Sequence, residues 1–204
     1  MNDRKSVLNG VNVVVFDLDG TLYDKRGLAG RMIRRMWWCL PLLAAERLAR
    51  RNMHYVCYSS EAEFYDAFFR TMARGHLWGP MVATTWYCSL FMPTMVRMIR
   101  RYHHPRPEML EMIEECKARK IRMAIYSDYG FVMDKLEALG LDPNLFELKV
   151  AAPSFGALKP SAECAKRLMK ILHADPKTTL FVGDRDDKDG ESARSVGARF
   201  LLVG

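Results

Sequence analysis

Cysteine is scarce and scattered in this 204-residue chain: Cys39, Cys57, Cys88, Cys116 and Cys164 stand alone, with no CxxC pair. That excludes a zinc ribbon or a dithiol redox centre, and an odd set of isolated thiols reads as reduced core residues. The first ten residues contain no apolar stretch of the kind a secretory signal needs, so a cytoplasmic location is the default expectation. Internal repeats and low-complexity tracts are also missing. No apolar run has the length and continuity of a membrane span. Residues 77–96 carry no formal charge but are broken by Gly79, Pro80, Thr84, Thr85, Ser89 and Pro93, and residues 36–45 number only ten.

Acidic residues nearly vanish from residues 25–106, which hold four Asp and Glu against fourteen Lys and Arg, thirteen of them Arg. The remainder of the chain has seventeen basic and twenty acidic residues, so the formal net charge of +7 arises in this one interval. With half its residues hydrophobic and 27% charged, the chain has the balance of a globular protein that folds alone.

Short β-branched apolar runs at residues 11–16, 121–126, 148–151, 179–182 and 200–203 read as buried strands. Helical spacing at 107–120, 131–139, 161–173 and 189–196 alternates with them, which predicts an α/β fold with a Rossmann-like, doubly wound parallel sheet. Such sheets bind ligands at the carboxyl ends of their strands, here the loops at Asp17, Ser127, Ala152 and Gly183. Residues 24–106 break the rhythm with helix-like stretches punctuated by Pro41, Pro80, Pro93 and Pro105. They are expected to form an all-helical cap over that edge, with residues 1–23 and 107–204 making the core.

The strongest local signal is Phe16-Asp17-Leu18-Asp19-Gly20-Thr21-Leu22, two carboxylates two residues apart after an apolar strand. In extended chain both point the same way. Their repulsion predicts either a shared proton or a bound divalent cation. Three later strings also end strands or open helices: Ile125-Tyr126-Ser127-Asp128, Gly156-Ala157-Leu158-Lys159-Pro160, and Val182-Gly183-Asp184 running through Arg185, Asp186, Asp187 and Lys188 to Asp189.

Together these four strings resemble the signature of the haloacid dehalogenase superfamily, in particular its phosphatases with a helical cap inserted after the first strand. The resemblance implies a Mg2+-dependent hydrolase of phosphomonoesters. It makes Asp17 the nucleophile that forms an aspartyl-phosphate and Asp19 the acid and base. Thr21, Ser127 and Lys159 would hold the phosphoryl group. Asp17, the carbonyl of Asp19 and Asp184 would bind Mg2+, with Asp189 supporting the metal site. Spacing nominates Asp189 over Asp187, while Asp186 and Asp187 read as solvated residues or partners of Lys188 and Arg185.

Dehalogenases of the superfamily lack the second carboxylate and need no metal, so Asp19 and Asp184 favour phosphate-ester chemistry. A phosphomutase would use the same residues and remains the alternative enzyme. The substrate is expected to be a small anionic phosphometabolite, because thirteen arginines near the entrance would concentrate anions there. The rival class is a protein whose basic cap binds a membrane or polyanion, with the phosphatase site secondary. Apolar, Trp-bearing segments with basic flanks suit an anionic membrane surface, a peripheral contact ranked below the enzyme reading. Nucleic-acid binding is not expected in the absence of a recognised motif. His103-His104 reads as a hinge where the cap returns to the core.

Overall fold

The computed structural model describes residues 7–204. Strand β1 (Val13–Phe16) opens the fold. The insertion then builds α1 (Leu28–Arg35), a 3-10 turn at Trp37–Cys39, α2 (Leu40–Asn52), α3 (Glu61–Ala73), α4 (Pro80–Trp86) and α5 (Met92–Tyr102). The core resumes with α6 (Pro107–Ala118), β2 (Arg122–Ser127), α7 (Val132–Ala138), β3 (Leu148–Ala151), α8 (Ala162–Ile171), β4 (Thr179–Gly183), α9 (Glu191–Val196) and β5 (Arg199–Leu202). All five strands are parallel, in the order β3-β2-β1-β4-β5.

Side-chain alternation explains why both faces are covered. Val13 and Val15 join Tyr126, Phe181, Leu168 and Met169 in one core, while Val14 and Phe16 join Ile125, Val182, Ile113 and Leu136 in the other. The chain builds outward from β1 to β3 and then returns to lay β4 on the free edge of β1. That reversal leaves a crevice beyond the carboxyl ends of β1 and β4, where loops diverge to opposite sides of the sheet.

The helical insertion is not detached from the core. Met36, Phe64, Phe68, Met72, Met92 and Ile99 pack in the same cluster as Leu22 and Leu136. Pro41, Pro80 and Pro107 sit in first helical turns, where a missing N–H costs nothing. Pro93 does not punctuate the cap as the sequence suggests. The chain runs helically from α4 to α5 through a wider π turn at Tyr87–Phe91, and Pro93 stands in the first turn of α5.

The cysteine expectation needs correction in part. All five are free thiols, and Cys39, Cys116 and Cys164 are buried, but Cys57 and Cys88 are exposed on the cap. Their neighbours, not their residue type, decide this.

Candidate active site

Strand β1 delivers Asp17 into the crevice, and its backbone N–H still donates to the Val182 carbonyl at 2.9 Å, so β1 and β4 remain joined there. Thr21 Oγ1 donates to Asp17 Oδ2 at 2.8 Å, and Lys159 Nζ to Asp17 Oδ1 at 2.7 Å. Lys159 also donates to Asp189 Oδ1 at 2.6 Å and to the Tyr126 carbonyl at 3.0 Å. All three charged side chains are buried. Burial pushes the Asp17 carboxyl up to about 7, against the pull of Lys159 and with help from the Asp189 and Asp19 charges. Burial opposes the Lys159 charge too, but three facing carboxylates outweigh it and hold the ammonium well above its ordinary range.

Asp19 points to the other side of the crevice. Its Oδ1 accepts from Tyr23 Oη at 2.7 Å, and its Oδ2 accepts from Lys135 Nζ at 2.6 Å and Ser127 Oγ at 3.2 Å. Burial opposes ionisation, yet the Lys135 charge and these hydrogen bonds prevail and hold the Asp19 carboxyl below the usual carboxylate range. Between the two aspartates and the β4 loop lies Gly20, with φ +111°. A Cβ there would stand 2.4 Å from Asp184 Oδ2, so the close approach of the two loops requires glycine.

Asp184 and Asp189 follow β4, and Asp17, Asp184 and Asp189 bring carboxylate oxygens within 4.8 Å of one another, a cluster compatible with a divalent cation. The donor set already attracts a cation. Lys25 Nζ lies 3.0 Å from the Asp19 carbonyl oxygen and 2.5 Å from Asp184 Oδ2, bridging two groups that the sequence nominates as metal ligands. Asp189 is tied to Lys159 through Oδ1, and its Oδ2 accepts from the Arg185 N–H at 3.3 Å, so it braces the loop from within.

Asp187 lies outside this cluster and pairs with Arg185, while Asp186 pairs with Arg194 at 2.8 Å. Lys188 departs from expectation: it reaches Asp128 Oδ2 at 2.6 Å rather than a neighbouring aspartate. The π turn at Asp186–Gly190 sets its side chain toward the β2 loop. Asp128 thereby joins two loops, because its Oδ1 accepts from the Lys159 N–H at 2.7 Å.

A family model described as haloacid dehalogenase-like hydrolase matches residues 11–197. The chain belongs to the haloacid dehalogenase-like hydrolases. It is 25% identical to phosphoglycolate phosphatase of Aquifex aeolicus over 95% of this chain and 84% of that one. It is 26% identical to glyceraldehyde 3-phosphate phosphatase of Methanocaldococcus jannaschii over 90% of this chain and 81% of that one. In fold it resembles CbbY of Rhodobacter sphaeroides, solved with xylulose-1,5-bisphosphate (TM-score 0.66, 17% identity, 94% and 85% of the two chains). It also resembles L-2-haloacid dehalogenase of Xanthobacter autotrophicus (TM-score 0.62, 18% identity, 95% and 77%).

Four side chains of this haloacid dehalogenase-like hydrolase escape the sequence reading. Lys135 is the least expected, a fully buried ammonium on α7. Its position beside Val132 and Leu136 on the buried face of the helix is a signal the sequence does contain, since a lysine on an apolar stripe needs a buried partner. Tyr23 and Lys25 lie just beyond the first motif. Arg50 reaches from α2 into the core: it donates to the Asp128 carbonyl at 3.1 Å and to Tyr87 Oη at 2.8 Å, and stands 3.7 Å over the Tyr129 ring. Beside it a cavity of about 430 Å³ opens between cap and core, where Arg50, Arg51, Arg185 and Lys188 line the wall together with Asp128 and Asp187.

Among the described residues no helix is long and apolar enough to cross a membrane.

Proposed function

We propose that this hydrolase cleaves phosphomonoesters in a Mg2+-dependent reaction through an aspartyl-phosphate on Asp17. The observation that carries the reading is the meeting of the Asp17, Asp184 and Asp189 oxygens within 4.8 Å, beside a buried Lys159 that contacts Asp17. Mg2+ held by Asp17, the Asp19 carbonyl and Asp184 would neutralise the phosphoryl oxygens and keep Asp17 ionised.

Lys159, Thr21 and Ser127 surround the place where the phosphoryl group would sit, with donors that stabilise charge as it spreads over the equatorial oxygens. Asp19, ionised beside Lys135, takes the proton of the monoanionic phosphate ester; an Asp17 oxygen attacks phosphorus, the ester P–O bond breaks, and Asp19 passes that proton to the leaving oxygen. Water then attacks phosphorus and passes a proton to Asp19 while the bond to Asp17 breaks. Inorganic phosphate leaves with the proton Asp19 took from the water, and the Asp17 and Asp19 carboxylates are restored. Splitting hydrolysis this way needs two carboxylates in different surroundings. Asp17 faces Lys159 and Asp189, whereas Asp19 faces Lys135 and Tyr23.

The substrate is a small phosphate ester bearing further negative charge. Arg51, which lines the cavity and has no carboxylate within ion-pair distance among the described residues, supports this, as do the two related phosphatases, whose names specify small phosphorylated metabolites. The test is phosphate release from p-nitrophenyl phosphate and a panel of phosphometabolites, comparing the wild type with Asp17→Asn and adding a chelator. Turnover confined to the wild type and lost with the chelator supports the mechanism. Undiminished turnover by Asp17→Asn, or indifference to the chelator, rules it out.

A further inference from the structure

The first two cap helices leave an apolar face uncovered. Leu28 and Met32 of α1 and Met36 just after it are buried, while Ile33 of α1 and Trp37 of the 3-10 turn are exposed. The following turn exposes Trp38, and α2 exposes Leu40 and Leu48, eight residues apart and so on one side of that helix. Trp37 is 66% exposed and Trp38 52%. The two largest apolar side chains of this stretch, which as sequence could have filled the cap interior, stand in solvent instead.

Charge surrounds these side chains and is unneutralised. Arg34, Arg35, Arg47 and Arg51 are exposed on the same helices, and none has a carboxylate within ion-pair distance among the described residues. Arg31 and Arg101 likewise lack acidic partners and lie against the Tyr102 ring instead. Arg35 lies 6.0 Å over the ring of Trp38, so cation and aromatic face occupy one patch.

We infer that this face docks the protein on an anionic lipid bilayer. Tryptophan and aliphatic side chains entering the headgroup and upper acyl region, with a surrounding ring of arginines on acidic headgroups, are what an interfacial contact requires. A second copy of the chain fits poorly, because its own arginines would meet these. Nucleic acid would satisfy the arginines and leave Ile33, Leu40 and Leu48 without a role. The inference is independent of the catalytic mechanism. Arg51 belongs to both the border of this face and the cavity lining, so docking would place the cavity mouth at the edge of the contact.

The test is sedimentation of the full chain with vesicles of phosphatidylcholine alone and of phosphatidylcholine with phosphatidylserine at roughly two to one, at about 0.1 M salt. Trp37→Ser/Trp38→Ser and Arg34→Gln/Arg35→Gln are compared with the wild type, each checked for an unchanged unfolding midpoint. Binding to the anionic vesicles alone, weakened at least about tenfold in each variant, is expected. Brominated acyl chains should quench the wild-type tryptophan emission and spare that of the Trp37→Ser/Trp38→Ser protein. Wild-type protein that stays in the supernatant with anionic vesicles overturns the inference. So does undiminished binding by the tryptophan variant, which would place Trp37 and Trp38 outside the contact with lipid.

Discussion

The Lys135 ammonium, wholly buried on α7, stands 2.6 Å from Asp19 Oδ2. Two ionised groups removed from water hold each other in place, and among the described residues neither has a second charged partner at hydrogen-bond distance. Lys135 therefore positions the carboxylate that exchanges protons in the proposed reaction.

Replacing that cation should impair turnover more than binding. Lys135→Met is expected to lower kcat by about a hundredfold with little change in KM, the lower end of what a positioned acid–base group contributes. Alkyl phosphates, which need leaving-group protonation, should suffer more than p-nitrophenyl phosphate. Steady-state kinetics on both substrates checks this; a purely structural role would reduce both equally.

Lys25 competes for the proposed cation site, since its ammonium bridges the Asp19 carbonyl and Asp184. The pair is partly open to solvent, so its worth is at most about 1 kcal/mol, equivalent to about fivefold in affinity. Lys25→Ala should therefore reach half-maximal activity at a Mg2+ concentration up to about fivefold lower. A Mg2+ titration of both proteins decides it, and an unchanged midpoint would separate Lys25 from the metal site.

Asp128 gives the fold an acid-sensitive joint. Burial opposes its charge, but Lys159 and Lys188 together with their hydrogen bonds hold its carboxyl below the ordinary value of 3.8. A depressed folded-state value means that the stabilisation is complete above the unfolded-state value and disappears as pH falls through the folded one. Asp128→Asn should cost about 1.5–3 kcal/mol at neutral pH, the worth of hydrogen bonds to charged partners. It should also flatten the loss of stability that the wild type shows below about pH 4. Urea unfolding across that range measures both.

Thiol chemistry should divide the cysteines by burial rather than by sequence. Burial pushes the Cys116 thiol up to about 12 and raises those of Cys164 and Cys88, but Cys88, like Cys57, is open to a reagent at the surface. A disulfide reagent should modify Cys57 and Cys88 in the native protein and reach Cys39, Cys116 and Cys164 only after unfolding. Mass spectrometry of the labelled sites provides the count.

Gly20→Ala should abolish activity while leaving a folded protein. The new Cβ would collide with Asp184 Oδ2 at 2.4 Å and with Lys25 Nζ at 2.6 Å, in a backbone conformation with φ +111°. Circular dichroism alongside the phosphatase assay distinguishes a distorted site from failure to fold.

Local information determined a large part of this protein. Apolar runs with turn residues at their ends mark the five strands, and helical spacing marks the elements between them, because burial and backbone hydrogen bonding repeat over a few residues. The placing of Asp17, Ser127, Lys159 and Asp184 where a strand ends or a helix begins was legible for the same reason, while the roles proposed for them rest on the resemblance of the four motifs. Tertiary structure alone decided which of these ends meet. Pairing β4 with β1 brings Asp184 and Asp189 to Asp17, and that pairing depends on packing between segments far apart in the chain. The partners of Lys135, Lys25 and Lys188 were likewise hidden, since a long flexible side chain takes its contact from whatever charge the fold carries within reach. The exposure of Trp37 and Trp38 has the same origin: helical spacing tells which residues share a face, but only the neighbouring helices decide whether that face is covered.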